Sequence, residues 1–268
     1  MGKKLLILFI FPVLLLALSC ATVPLTERKT LSLVPETQML SLSSQQYHEL
    51  LEQTKVSTDP VKTAMVQRVG KNIATAAEDF MRDAGRSRDV KDFRWEFNLL
   101  DDNTVNAFCM PGGKVGVYTG ILPITQDETG LAVVVGHEVA HAIARHGNER
   151  MSQALVAQMG GIGLDLALSQ QSAATRSIFL NLYGIGSNIG FILPYSRIQE
   201  NEADRIGLAL MAKAGYDPHA AVPLWERMNK EGGPRPPEFL STHPAPESRI
   251  RNIQGLIPEA MKYYKKQG

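Results

Sequence analysis

Apolar positions recur at helical spacing from Glu36 to about Thr54 and from Pro60 to about Ala84, where Val61, Met65, Val69, Ile73 and Ala76 mark one face. Gly85 to Asp92 is charged and breaks the pattern. Phe93 to Leu100 (FRWEFNLL) then alternates with an aromatic bias, which predicts a strand. Ala107 to Met110 and Lys114 to Thr119 predict two more, joined by the turn Pro111-Gly112-Gly113. Helical periodicity returns from Asp127 to about His146, with Asp127 or Thr129 as cap, Leu131 to Val135 as the buried run and Gly147 as the stop. Further helices are expected over Arg150 to Ser169, Ser196 to about Ala214, Pro218 to about Lys230 and Pro246 to about Lys265, with Glu231 to Pro237 as a loop. The stretch from Met159 to Gly190 is apolar and rich in glycine. It reads as close-packed helices, as a lid or as a membrane-contacting hairpin, although Asp165, Gln170, Gln171, Arg176 and Asn181 interrupt it too often for a span. Many helices beside a few clustered strands predict an α+β, mainly helical fold, with one domain over residues 36–268.

The first residues stand apart. Lys3 and Lys4 precede an apolar run from Leu5 to Leu18, too short for a bilayer span, which needs about 20 residues. Leu16-Ala17-Leu18-Ser19-Cys20 resembles the lipobox of bacterial lipoproteins, with Ala17 where Leu is commoner. Residues 1–19 are then a signal peptide, Cys20 is the lipidated first residue and residues 20–35 are a tether. The implied location is periplasmic, anchored through lipid to the outer membrane, since Ala21 rather than Asp follows the cysteine. Of the two cysteines, this leaves Cys109 without a partner, and it reads as a small buried hydrophobe. With 28 basic and 27 acidic residues there is no concentrated positive surface, so nucleic acid is excluded as the main partner.

The chemistry lies in His137-Glu138-Val139-Ala140-His141. A four-residue step on a helix turns about 400°, so the two imidazoles sit about 40° apart and reach one tetrahedral Zn²⁺. Glu138 falls beside the metal's open side. Ala144 and Gly147 stand where a metzincin has Gly and His, which excludes that class, and His146 lies about 180° around the helix from His137. The third ligand must come from elsewhere. In Ser196-Arg197-Ile198-Gln199-Glu200-Asn201-Glu202-Ala203-Asp204, Glu200 and Asp204 share a face, so Glu200 is a candidate ligand and Asp204 a candidate to orient a ligand histidine. A merely charged surface helix fits that spacing equally well. Glu202 points about 160° from Glu200 and is expected in solvent or paired with Arg205. His48 and His219 are expected at the surface.

HEVAHAIARH, then SRIQENEADRIG, then Ser241-Thr242-His243-Pro244, together with Asn106-Ala107-Phe108 and Pro111-Gly112-Gly113-Lys114-Val115, resembles the CAAX prenyl protease and HtpX family of zinc metallopeptidases (metallopeptidase family 48). The closest likeness is to the periplasmic lipoprotein branch typified by BepA and LoiP, and it extends from about Cys20 to Ile250. The sequence departs from BepA in ending soon after His243, so no C-terminal helical-repeat domain is expected, and from HtpX in showing no clear transmembrane pair after the HExxH helix. The resemblance implies a gluzincin-like domain with a small sheet beside the HExxH helix, and one Zn²⁺ held by His137, His141 and Glu200. It also implies Glu138 as catalytic base, Asp204 behind a ligand and His243 at the zinc, either plugging the open position or assisting catalysis. Asn106, Ala107 and Phe108 would bind substrate by strand addition.

The function expected is a zinc endopeptidase that hydrolyses unfolded or misassembled envelope proteins, Glu138 relaying the proton. Partners are then unfolded protein substrates and, through the lipid, a membrane. Two alternatives stand beside it: an assembly factor or chaperone with a latent peptidase site, and a zinc amidase.

Overall fold

The computed structural model describes residues 20–158, 173–183, 195–231, 238–244 and 247–264. The expected signal peptide, most of the glycine-rich stretch and most of the loop expected at 231–237 lie outside the described residues.

Two long helices come first, α1 (Glu36–Gln53) and α2 (Pro60–Asp83). The Asp59 carboxylate accepts from the backbone N–H groups of Val61 and Lys62, and Pro60 suits the first helical position because it has no N–H to satisfy. Strands β3 (Glu96–Leu100), β4 (Ala107–Met110) and β5 (Lys114–Tyr118) form a sheet in the order β3-β5-β4, with β3 parallel and β4 antiparallel to β5. Gly112 and Gly113 take φ of +79° and +82°, so the β4–β5 turn needs glycine at both places. Helix α3 (Leu122–Thr125) leads into α4 (Glu128–Ile143), the HExxH helix. It is capped by Asp127, whose carboxylate accepts from Gly130 N–H at 2.8 Å. Then follow α5 (His146–Gln158), α6 (Ala173–Leu182), α7 (Arg197–Lys213), α8 (Ala221–Lys230), the short α9 (Glu238–Thr242) and α10 (Glu247–Ala260). Ser196 and Gln199 close a reciprocal capping box at the start of α7. Among the described residues, no helix is long and apolar enough to cross a membrane.

Helix α4 is buried along its whole length from Gly130 to Ile143, with α7, α2 and β4 as its main neighbours. An apolar helix buried on all sides is what the sequence of Leu131 to Val135 demands. The architecture is therefore mainly helical with a small sheet against the HExxH helix.

Three local expectations differ from the structure. Helix α4 ends at Ile143 rather than near His146: Arg145 turns to φ +58°, and the chain starts α5 at His146. Gly147 is thus inside a helix and is small for another reason, since the Tyr183 hydroxyl fills the space a Cβ would take. The segment expected to be a tether contains β1 (Cys20–Thr22) and β2 (Lys29–Leu31), paired antiparallel. Val23 in its turn is fully buried and Arg28 is bonded to two buried carboxylates, so this part of the tether is docked on the domain. Finally, β3 starts at Glu96. Trp95 instead covers Gly113, where an added Cβ would strike the indole.

Helices α4 and α7 cross at Gly136 and Gly207. A Cβ on Gly207 would stand 2.9 Å from the His137 backbone nitrogen and 3.0 Å from Gly136 carbonyl atoms, with no flexible side chain to give way. We therefore expect Gly207→Ala to push the helices apart, at about 1–3 kcal/mol, the usual cost of overpacking. Urea unfolding reads the loss directly, and an unchanged midpoint would show that the crossing is not tight.

Candidate metal centre

The α4–α7 crossing sets the first turn of α7 against the middle of α4. Nε2 of His137 and Nε2 of His141 are 3.0 Å apart. Glu200 places Oε1 3.3 Å from the His141 Nε2 and Oε2 3.6 Å from the His137 Nε2. His243, just after α9, points Nδ1 into the same space, 3.0 Å from Glu200 Oε1 and 3.2 Å from the His137 Nε2. These four residues, all buried, are the group of potential metal donors among the described residues. Ligand atoms on a tetrahedron with zinc bonds of 2.0–2.1 Å lie roughly 3.3 Å apart, so the spacing and the nitrogen-oxygen donor set fit Zn²⁺. His243 is carried there by α9, which is tied to the entry of β4 by the Phe239 N–H donating to the Val105 carbonyl at 3.1 Å.

Glu138 lies beside these donors. Its Oε1 is buried without a hydrogen-bond partner, 3.4 Å from His243 Nε2. Burial pushes the Glu138 carboxyl up from its ordinary range, against the pull of His243 and His137. Burial also holds the His141 imidazole well below its usual value, so its neutral, metal-binding form is favoured. For Glu200, burial works upward but is outweighed by Arg249, His243 and His137, which hold the carboxyl well below the usual range. Asp204 sits behind His137, its Oδ1 3.0 Å from Nδ1, in the carboxylate–histidine arrangement that fixes a ligand's orientation.

Sequence reasoning missed Arg249. Its Nε and Nη2 donate to Asp204 Oδ2 and Oδ1 at 2.8 and 2.7 Å, and Nη1 lies 2.5 Å from Glu200 Oε2. The guanidinium is stacked 3.8 Å over the Trp225 ring. The signal was present: Arg249, Ile253 and Ile257 recur every four residues on the buried face of α10, and an arginine on an apolar face implies a buried partner.

Glu202 departs from expectation. It is buried and does not meet Arg205, which pairs with Glu259. Instead Glu202 accepts from Thr26 Oγ1 at 2.7 Å and from Arg28 Nε and Nη2 at 2.8 Å each, and lies 3.0 Å from His146 Nε2. His146 in turn places Nδ1 2.9 Å from His141 Nδ1. Arg28 also reaches Glu149, which accepts from Gln199 Nε2 as well. Asn106, Ala107 and Phe108 stand at the entry and start of β4, outside the donor group. Phe108 packs against Tyr47 and Tyr118, while Asn106 Nδ2 is buried without a partner. Cys109 is a free, buried thiol, and His48 and His219 are exposed.

A helix carrying two candidate ligand imidazoles with a buried carboxylate beside them, crossed by a second helix that brings a third candidate donor, is the arrangement of a zincin-type metallopeptidase fold. Comparison with known proteins agrees: residues 60–257 match the model of peptidase family M48, and the chain belongs to that family. Zinc is the metal these peptidases use, and the donor set fits it. The chain is 44% identical over 173 residues to the mitochondrial metalloendopeptidase OMA1 of Schizosaccharomyces pombe, which covers 64% of this chain and 49% of that protein. It is 32% identical over 251 residues to the protein of that name from Saccharomyces cerevisiae, covering 90% and 70%. It is 28% identical over 232 residues to the beta-barrel assembly-enhancing protease of Escherichia coli, covering 84% and 44%. The chain thus spans about half the length of most of the relatives it matches.

These similarities correct the expected location. Relatives from two fungi, a plant and two mammals are named as mitochondrial, which overturns the placement in a bacterial periplasm at an outer membrane. That placement rested on the first twenty residues alone, whereas the similarity rests on most of the folded chain.

Burial raises the Glu202 pKa, but His146, Arg28 and Thr26 outweigh it and hold the carboxyl down to about 2. An unfolded glutamate titrates near about 4.3, so this pairing stabilises fully above that pH and is lost as pH falls toward about 2. In metal-free protein, the stability gap between wild type and Glu202→Gln should shrink across this window, as followed by urea midpoints. A gap that stays constant would contradict the pairing.

Proposed function

We propose that this chain is a zinc-dependent endopeptidase that cuts unfolded or misassembled proteins. The observation that carries the reading is the convergence of His137, His141 and Glu200 on one point, with the Glu138 carboxylate unpartnered beside it. Zinc bound there supplies a Lewis acid that lowers the pKa of water and polarises a peptide carbonyl. Glu138 takes the proton of the attacking water and returns it to the leaving amine. Its buried Oε1 has no hydrogen-bond partner, which leaves a lone pair free to accept that proton. Asp204 and Arg249 hold His137 and Glu200 in place and keep Glu200 ionised.

Substrate would lie along β4. Among the described residues no strand pairs with the outer edge of β4, but its four residues and Asn106 are buried, so an extended peptide would add there, with the Asn106 amide as an additional donor, once the covering segments part. Only an unfolded segment presents such a backbone. A groove of about 330 Å³ lined by Tyr195, Arg197, Asn201 and Ser248 opens beside Glu200 and Arg249.

A resting, latent state is a second reading favoured by a specific observation, the insertion of His243 among the donors. His243 then has to withdraw before substrate enters.

Casein digestion with and without chelator tests the peptidase reading. Glu138→Gln should retain zinc and lose about 10²–10⁴-fold in rate, while His137→Ala should lose metal and activity together. An unaltered rate in Glu138→Gln would sink the mechanism. His243→Ala should raise the rate if the residue plugs the site; a rate unaltered in either direction removes its role. Equal cutting of the folded and unfolded forms of one substrate would refute the strand-addition argument.

A further inference from the structure

Each of the two histidine ligands has its second ring nitrogen engaged, but by different groups. For His137 the partner is a carboxylate, Asp204. For His141 it is another imidazole, His146, with the carboxylate of Glu202 one step further out. We propose that His146 and Glu202 are positioning residues for His141, fixed in turn by Thr26 and Arg28 of the β1–β2 hairpin. This rests on the reading of the site as a zinc centre.

The hydrogen-bond directions allow one consistent arrangement. A neutral imidazole that offers Nε2 to a metal carries its proton on Nδ1. The His141 Nδ1–H therefore donates to His146 Nδ1, 2.9 Å away, which leaves the His146 proton on Nε2. That N–H donates to Glu202 Oε2 at 3.0 Å. Glu202 can serve as terminal acceptor because Arg28 grips both its oxygens and Thr26 adds a third donor. Reversing either imidazole would set two N–H groups or two lone pairs against each other. His146 is fully buried and Glu202 nearly so, so water does not substitute for either. His146 reaches this place because the left-handed Arg145 ends α4 and turns the next residue back over His141.

The relay ties the metal site to the N-terminal hairpin. Arg28 is 174 residues from Glu202 in sequence and 121 from Glu149, and it binds both. The hairpin, outside the family-matched region, thereby fixes the proton position on a ligand inside it.

The test compares full-length wild type with His146→Phe, His146→Asn and Arg28→Met. Zinc affinity is read by competition with a chromophoric chelator, the ligand field by the visible spectrum of the Co²⁺-substituted protein, and folding by the thermal midpoint of metal-free protein. Phenylalanine keeps the ring but cannot accept from His141; affinity should fall about 10- to 100-fold, with a shifted cobalt spectrum. Asparagine restores an acceptor near the Nδ1 position and should recover much of the affinity. Arg28→Met, at a partly exposed side chain, should fall between wild type and His146→Phe, and it serves if the phenylalanine variant does not fold. Variants that bind zinc as wild type does, with the same cobalt spectrum, would overturn the relay. Equal losses in the phenylalanine and asparagine variants that merely follow their thermal midpoints would also overturn it, leaving a packing role alone. A wild type that binds no zinc would instead overturn the metal reading on which the relay stands.

Discussion

The close crossing of α4 and α7 is the constraint on which the site depends. With Gly136 facing Gly207, nothing but backbone separates the two helices. His137 follows the first glycine, and Glu200 lies two turns before the second. The crossing therefore sets the distance between imidazole and carboxylate. A Cβ on Gly136 would stand 3.0 Å from the Gly207 carbonyl oxygen and one on Gly207 2.9 Å from the His137 nitrogen, so a side chain at either would press the helices apart. The side chains around the crossing are buried, so a charge there needs a protein partner or an ion.

Helix α7 divides its acidic first turns between two such demands. Glu200 and Asp204, one helical turn apart, face α4 and the donors. Glu202, on the other side, faces His146 and the hairpin. Each face has its own arginine: Arg249 from α10 on one, Arg28 from the hairpin on the other. Both arginines grip carboxylates with two nitrogens, a geometry lysine cannot reproduce. The two outermost segments of the described chain are thus attached through the same helix that carries a candidate ligand.

What was readable in the sequence follows from how local each signal is. The four-residue step from His137 to His141 and from Glu200 to Asp204 depends only on helix geometry, and the Pro111-Gly112-Gly113 turn only on the positive φ that its glycines allow. Helix boundaries were less readable: nothing in Ala144-Arg145-His146 distinguishes a continuing helix from one that breaks and restarts, since Arg145 is not a residue that favours a positive φ. Glu202 was misplaced because angular position on a helix reports which way a side chain points, not what waits there. Its partners are an arginine 174 residues earlier and a histidine that only the break at Arg145 brings round. Residues 20–31 look like a polar tether because the buried residues there are Val23, Pro24 and Thr30, too few to register as a pattern.

Charge balance links the geometry to the metal. Around the donors, Glu138, Glu200 and Asp204 are buried and one arginine, Arg249, is buried with them. With the three carboxylates ionised and the imidazoles neutral, as ligation requires, this leaves two negative charges uncompensated. Leaving charge unpaired in such surroundings costs several kcal/mol per ion. The protein alone relieves part of this by pushing the Glu138 carboxyl toward its protonated form. A divalent cation held by the donors would offset both charges and so favour the ionised form of Glu138. The same charge count that would draw a cation to the donors would thus also set the ionisation of the carboxylate beside them.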